Sequence, residues 1–444
     1  MPGRISDCSE VGCRTRLSAM TDVLESARGL LAAGDVPGAV RALRPVAETA
    51  PLPELSDLVE QAAAAIGFDD LAEAASTAAR TPDDPVALFH FAVGCKERGI
   101  AFCAIPALRA ALRLAPGQLA ILGSLSDALE REYRHGEAAA LLAEHDAVLS
   151  AWPHRYLLVF NAVLADDLPL AREQFARLPA PEDRDWWPAY DRLRNMLRRA
   201  EIAATAGPLD GQDLRGWHFV ITGGYLATMS PFGFAAGMTG RWAYTQDSHG
   251  QCRQTLDRVA LVLAAAERRP RTVALLPGRG DRILGLAAAE LLGLPTRPYT
   301  PDATDTLVVA YDLRELDGEL EPTLRDRADG RILVEHASCW TSPPPLSADI
   351  TGLLGQHVVP PWESQLRITP DGVRDDLPAD ERPEAEIAAD IVAADGTPDP
   401  GDGDTPADPD TALTAFVTTT HPAWLTGPRF AVDSPGPVRS NHFG

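Results

Sequence analysis

The sequence predicts a multidomain protein: an all-α array of stacked helix pairs, then an α/β domain with a mostly parallel sheet. Three observations carry this prediction. Residues 21–206 are rich in Ala and Leu, and Pro51, Pro85, Pro116 and Pro153 recur at intervals of 34, 31 and 37 residues. A period in the thirties built from helix, turn and helix marks an α-solenoid. The stretch Thr272–Tyr299 reads as a buried strand, a Gly-rich turn, a helix and a Gly-Leu-Pro exit. Further short apolar runs alternate with helical pattern through residue 335, as parallel sheets require.

Taken in order, residues 1–20 lack apolar periodicity and are expected to be disordered, with Met20 a plausible start. The helical array follows over 21–206, with turn signals at Gly34-Asp35, Gly67-Phe68, Gly99, His135-Gly136 and Asp166-Asp167. Gly207-Pro208 opens the α/β domain, 207–370. Its expected strands are Trp217–Tyr225, Gly240–Thr245, Val273–Leu276, Thr306–Tyr311 and Arg331–Glu335, with helices at 251–267 and 281–292. The run Val273-Ala274-Leu275-Leu276 is continuous and stopped by Pro277-Gly278, as for a strand covered on both faces. Asp281 is placed to cap the next helix, and Gly293 with Pro295 to end it. Residues 371–444 form an acidic, Pro- and Asp-rich, largely disordered tail, because such a segment buries too little apolar surface to offset ordering. Within it, Glu384–Ala394 has helical pattern and Ala412–Thr420 has strand character.

Composition excludes several classes. The formal net charge is −23, which repels nucleic acid. No apolar run approaches the ~18 residues of a membrane span, and the N-terminus lacks a secretory apolar core. A cytoplasmic location in a bacterium follows. Lys96 is the only lysine among 40 basic residues. Phosphate-loop and Schiff-base chemistries both need a lysine at the site, and Lys96 lies in a helical repeat. The six cysteines are scattered, so no disulfide framework is implied. No cofactor is called for.

The helical array resembles tetratricopeptide repeats over about residues 21–180. Ala92, Ala104, Ala111 and Pro116 fall on that repeat's small, small, small and Pro positions, and Leu88, Phe91 and Leu108 on its large apolar ones. Ala27, Ala39, Leu43 and Pro51 match in the first unit, and Leu122, Leu125, Ala138 and Leu142 in the fourth. The resemblance implies four to five repeats that bind a protein or peptide partner, and hence an adaptor or scaffold.

Two constellations point to chemistry in the second half. The turn Gly278-Arg279-Gly280-Asp281-Arg282 lies where a strand ends and a helix begins, the place where α/β sheets bind ligands. Free N–H groups and the helix dipole there favour an anion, so a small phosphorylated ligand suits it. The surrounding pattern resembles the phosphoribosyltransferase fold, which implies an alternative enzymatic function at this turn. The chain departs from that family after its next strand. Ala310-Tyr311-Asp312-Leu313-Arg314-Glu315 places one acid where the family has two, and no Thr-Gly turn follows. The second constellation is a pair of HxxC arms, His249/Cys252 and His336/Cys339, whose four side chains are of the types that hold tetrahedral zinc.

Overall fold

The computed structural model describes residues 8–368 and 374–442. The chain forms two compact units: residues 1–162 with 173–179, and residues 163–172 with 180–444.

The first unit is built from antiparallel helix pairs: α1 (Cys8–Ala32) with α2 (Val36–Leu43), α3 (Leu52–Ala65) with α4 (Asp69–Arg80), α5 (Pro85–Glu97) with α6 (Ala101–Leu114), and α7 (Leu119–Arg131) with α8 (His135–Glu144). Helices α9 (Tyr156–Leu164) and α10 (Leu168–Ala176) follow in sequence, with their residues 163–172 counted in the second unit. Gly34, Gly67 and Gly99 turn the first three pairs at φ of 83°, 78° and 74°, a conformation only glycine adopts without strain. Asp84 and Pro85 start α5 as N-cap and first helical residue. Small residues sit where helices cross: Ala27, Ala92, Ala104, Ala111 and Ala138 are all fully buried, as are Leu88, Phe91, Leu108 and Leu142. The array curls enough to join distant pairs. Arg109 on α6 reaches Glu48 (3.0 Å) and Glu137 (2.6 Å), and Arg134 pairs with Glu137 (2.7 Å) and Glu48. Helix α1 begins at Cys8, inside the stretch expected to be disordered. No proline interrupts residues 8–32, so the helix propagates backward from its amphipathic half.

The second unit carries α11 (Trp187–Ala206), α12 (Leu214–Thr222), β1 (Tyr225–Leu226), β2 (Trp242–Gln246), α13 (His249–Ala265), β3 (Thr272–Leu275), α14 (Arg279–Leu292), β4 (Thr296–Pro298), β5 (Thr306–Ala310), α15 (Glu321–Arg325), β6 (Ile332–Cys339) and β7 (Ile350–Val359). The sheet order is β4-β3-β5-β6-β7, and every pairing is parallel. β1 and β2 share the far edge of β7, Tyr225 opposite Ile350 and Trp242 opposite Gly355. The order reverses between β3 and β5, which leaves a crevice at their carboxyl ends. A core of Ala274, Leu276, Val308, Ala310, Leu324 and Leu333 fills one face. Gly285 of α14 packs on the other, where an added Cβ would lie 2.6 Å from Leu275 Cδ2.

Several expectations are corrected. Trp217–Tyr225 is mostly helix, not strand. Asp213 caps α12 by accepting from Gly216 N–H (2.8 Å), and Gly223 ends it at φ 77°. Its aromatic and β-branched residues bury at helical spacing and mimic a strand only in composition. Helix α11, placed by the sequence in the helical array, belongs to the second unit. It packs on α12, and buried Arg199 donates to Val220 O (2.9 Å). Asp281 is not the cap of α14; Gly278 is, and the Asp281 carboxylate accepts from Tyr311 N–H (2.8 Å). β7 carries no clear strand signal in the sequence, because glycines break its apolar run. Gly352 is needed there, since a Cβ would lie 2.4 Å from His336 O.

The acidic tail is ordered over its described length. β8 (Gln365–Ile368) and β9 (Arg374–Leu377) pair antiparallel, followed by α16 (Glu384–Ala393) and α17 (Asp410–Thr420). Asp408 explains much of this: its carboxylate accepts from buried Arg215 (2.8 Å) and Arg258 (2.5 Å). The expected strand Ala412–Thr420 is helix. Leu413, Phe416, Val417 and Thr420 bury along one face. Thr414, Thr418, Thr419 and Thr420 each turn their hydroxyl back onto the carbonyl four residues earlier, which lets β-formers serve a helix.

Candidate functional site

Parallel strands bring their carboxyl ends to one edge, and four polar side chains meet there. Asp247 follows β2 directly, held by its N–H to Val359 O (2.9 Å). Ser248 caps α13 by accepting from Gln251 N–H (3.1 Å), which places Cys252 in the first turns of that helix. Tyr311 follows β5, and His336 lies within β6. Asp247 Oδ2 is the common partner: Tyr311 Oη at 2.8 Å, His336 Nε2 at 2.8 Å and Cys252 Sγ at 3.3 Å. Cys252 Sγ is 3.8 Å from His336 Nε2. Asp247 Oδ1 accepts from Ser248 N–H (2.8 Å).

The cluster is sealed. Asp247, Cys252 and His336 are buried, and Trp362 packs edge-on against Tyr311 with ring centroids 5.0 Å apart. Burial alone would raise the Asp247 pKa. The charge on His336 and the hydrogen bonds from His336 and Tyr311 outweigh it and hold the carboxyl below its ordinary value. Burial, then the Asp247 charge, pushes the Cys252 thiol and the Tyr311 phenol well up. Cys252 therefore keeps its proton, which argues against a thiolate nucleophile. Asp247 and Cys252 also address the same nitrogen of His336, whereas a triad puts base partner and nucleophile on opposite nitrogens. His336 Nδ1 is buried without a partner.

Three donor atoms of metal-ligating type thus converge: a carboxylate oxygen, a thiol sulfur and an imidazole nitrogen. A tetrahedral site with bonds of ~2.0–2.3 Å has ligand edges of about 3.5 Å. The Cys–Asp and Cys–His separations already match, and the Asp–His contact needs to open by roughly 0.7 Å to reach that edge. Tyr311 and Ser248 orient the carboxylate from outside, the role such partners play around a metal.

Of the two HxxC arms, the structure brings Cys252 and His336 together and separates the others. Residues 336 and 339 lie on opposite faces of β6 because strand side chains alternate. Cys339 Sγ instead donates to Gln356 O (3.3 Å). His249, three residues before Cys252, has its Nε2 buried and unpartnered and is outside the cluster. Asp247 is the member sequence reasoning missed as a ligand. Its signal was its position, a carboxylate between a strand end and a helix cap.

The turn at 278–282 follows β3, beside the point where the strand order reverses, but its groups are engaged. Gly280 lies under Trp362, so close that a Cβ would be 3.1 Å from that ring. Arg279 donates to Asp380 O and to Arg382 O (3.2 Å), and Arg282 faces Glu384 at 4.0 Å. Asp281 is pushed up to about 6 by burial, with Asp312 and Glu315 adding to the shift and Tyr311 N–H opposing it. Among the described residues no helix is long and apolar enough to cross a membrane. Comparison with known proteins returns no matching family model, curated protein or solved structure.

Proposed function

We propose that the protein is an adaptor in which tetratricopeptide-type helix pairs take a polypeptide partner and the α/β unit holds a divalent transition-metal ion of the zinc class. The observation that carries the second half is the convergence of Asp247 Oδ2, Cys252 Sγ and His336 Nε2 on one point. Bound there, the metal would take the place of the thiol proton and accept the imidazole Nε2 lone pair. It would tie β2, β6 and α13 together through three protein ligands and leave the fourth tetrahedral position to another ligand. Loading is tested by elemental analysis of the purified chain. One metal per chain, lost in Cys252→Ser, supports the reading. Metal-free protein that takes up none on titration contradicts it.

The adaptor reading rests on the buried alanines of the first, third and fourth units, which fall where the tetratricopeptide pattern has small residues. A groove of about 530 Å³ on the helical unit is lined by Glu48, Asp83, Arg109, Arg113 and exposed Leu114. Such mixed apolar and charged lining suits a polypeptide. A photo-crosslinker at position 114 of the full chain should capture a partner that Arg113→Glu abolishes. Capture that ignores the charge reversal contradicts a partner seated in this groove. Phosphoribosyl-type chemistry at 278–282 fits the geometry less well, because Arg279 and Arg282 already face the 380–384 segment. It predicts stabilisation by phosphates or phosphoribosyl compounds, weakened in Arg282→Ala.

A further inference from the structure

A separate cavity of about 70 Å³ lies between α12 and strands β6 and β7. Apolar walls come from Leu214, Ile221 and Leu354. Two polar side chains in its lining have unpartnered atoms. Arg241 is 2% exposed. Its terminal nitrogens donate to Val438 O (2.8 Å), Ser440 Oγ (2.9 Å) and Pro435 O (2.8 Å), all uncharged acceptors. Its Nε–H is buried with no acceptor. His218 Nε2, from α12, is likewise buried with no partner. Glu335 also lines the cavity, but its Oε1 is taken by Leu313 N–H (2.9 Å).

Buried polar groups in folded proteins are almost always hydrogen-bonded. A guanidinium out of water without a carboxylate is costlier still. Burial draws the Arg241 pKa down to about 9, and burial followed by the Arg241 charge takes the His218 pKa down to about 3. His218 is therefore neutral near pH 7, and Arg241 is the cavity's cation.

We infer that this cavity binds a small organic monoanion, a short-chain monocarboxylate, with its carboxylate on Arg241 Nε and His218 Nε2 and its alkyl end against Leu214, Ile221 and Leu354. One oxygen accepts from the Arg241 Nε–H. The second accepts from His218 Nε2–H in that tautomer. The small volume favours a ligand end of a few heavy atoms. A ligand of roughly five heavy atoms is expected to bind with Kd of about 0.1–1 mM.

The test is isothermal titration and thermal shift of the full chain with acetate, propionate and butyrate, against propionamide and inorganic phosphate. Saturable binding of one monocarboxylate per chain is expected, with propionamide and phosphate inert. His218→Leu should weaken it at least about tenfold, the loss of one buried hydrogen bond to a charged group. Arg241→Lys, which removes the Nε–H, should abolish it. Should Arg241→Lys fail to fold, His218→Leu decides alone. Equal shifts by propionate and propionamide, no saturable carboxylate binding, or binding unchanged in His218→Leu would each overturn the assignment. None of these outcomes depends on metal loading or on the helical array.

Discussion

Asp408 lies 2.5 Å from Arg258, a contact that spans 150 residues and fixes the acidic tail to α13. Arg215 donates to the same carboxylate, and the three side chains are 3–11% exposed. Removing the acid from a buried pair leaves uncompensated charge, which costs roughly 3–5 kcal/mol. Asp408→Ala should lower stability by about that amount in a urea titration. A change within about 0.5 kcal/mol, the usual effect at a surface position, would mean the tail is not docked.

The same pair sets an acid sensitivity. Burial alone would raise the Asp408 pKa, but Arg215 and Arg258 hold it below the usual carboxylate range. A folded pKa below the unfolded one contributes stability above about pH 4 that is lost as pH falls through the folded value. Asp408→Asn should therefore flatten the pH dependence of stability below about pH 4.

Asp281 behaves in the opposite sense. Its folded pKa, about 6, exceeds the unfolded value of ~3.9. Its stabilising contribution is full below about pH 4 and is lost as pH rises through 6. Asp281→Asn keeps an acceptor for Tyr311 N–H and removes the charge. It should gain at most about 3 kcal/mol at pH 8, less where water reaches the carboxyl, and almost nothing at pH 4. Equal effects at both pH values would contradict the buried-acid account.

These side chains show what the sequence discloses. The helical pairs were legible because Ala92, Ala104 and Ala111 coincide with the proline period, and the β3–α14 unit because Val273–Leu276 stops at Pro277-Gly278. Local pattern carried both. Composition misled at Trp217–Tyr225 and Ala412–Thr420, where a cap and back-bonded threonine hydroxyls make helices of β-formers. The tail was opaque because what orders it is remote: Asp408 has no local reason to fold. For the site, Cys252 and His336 were visible, whereas Asp247 and Tyr311 join them only once β2 and β5 are placed in the sheet. The cavity at Arg241 had no sequence signal.

The helix crossings admit a direct check. Ala92 and Ala104 are fully buried, and overpacking a crossing costs typically 1–3 kcal/mol. Ala92→Leu should destabilise the chain by that amount, read as a lower denaturant midpoint. An unchanged midpoint would show that the pairs do not cross there.

Trp362 covers the cluster, so its removal should open it. In Trp362→Ala, Cys252 should react with a thiol reagent at least about tenfold faster, with modified sites mapped by mass spectrometry. The gain reflects a lowered cost of local opening, about 1.4 kcal/mol per tenfold. Unaltered protection would place the seal elsewhere.

Whether Asp247, Cys252 and His336 hold a metal together is open to direct measurement. Cobalt(II) titration of the metal-free full chain, followed by absorption, reads this directly. One equivalent should bind with a thiolate-to-cobalt charge-transfer band that Cys252→Ser removes and zinc displaces. Absence of that band, or its persistence in Cys252→Ser, would contradict the centre.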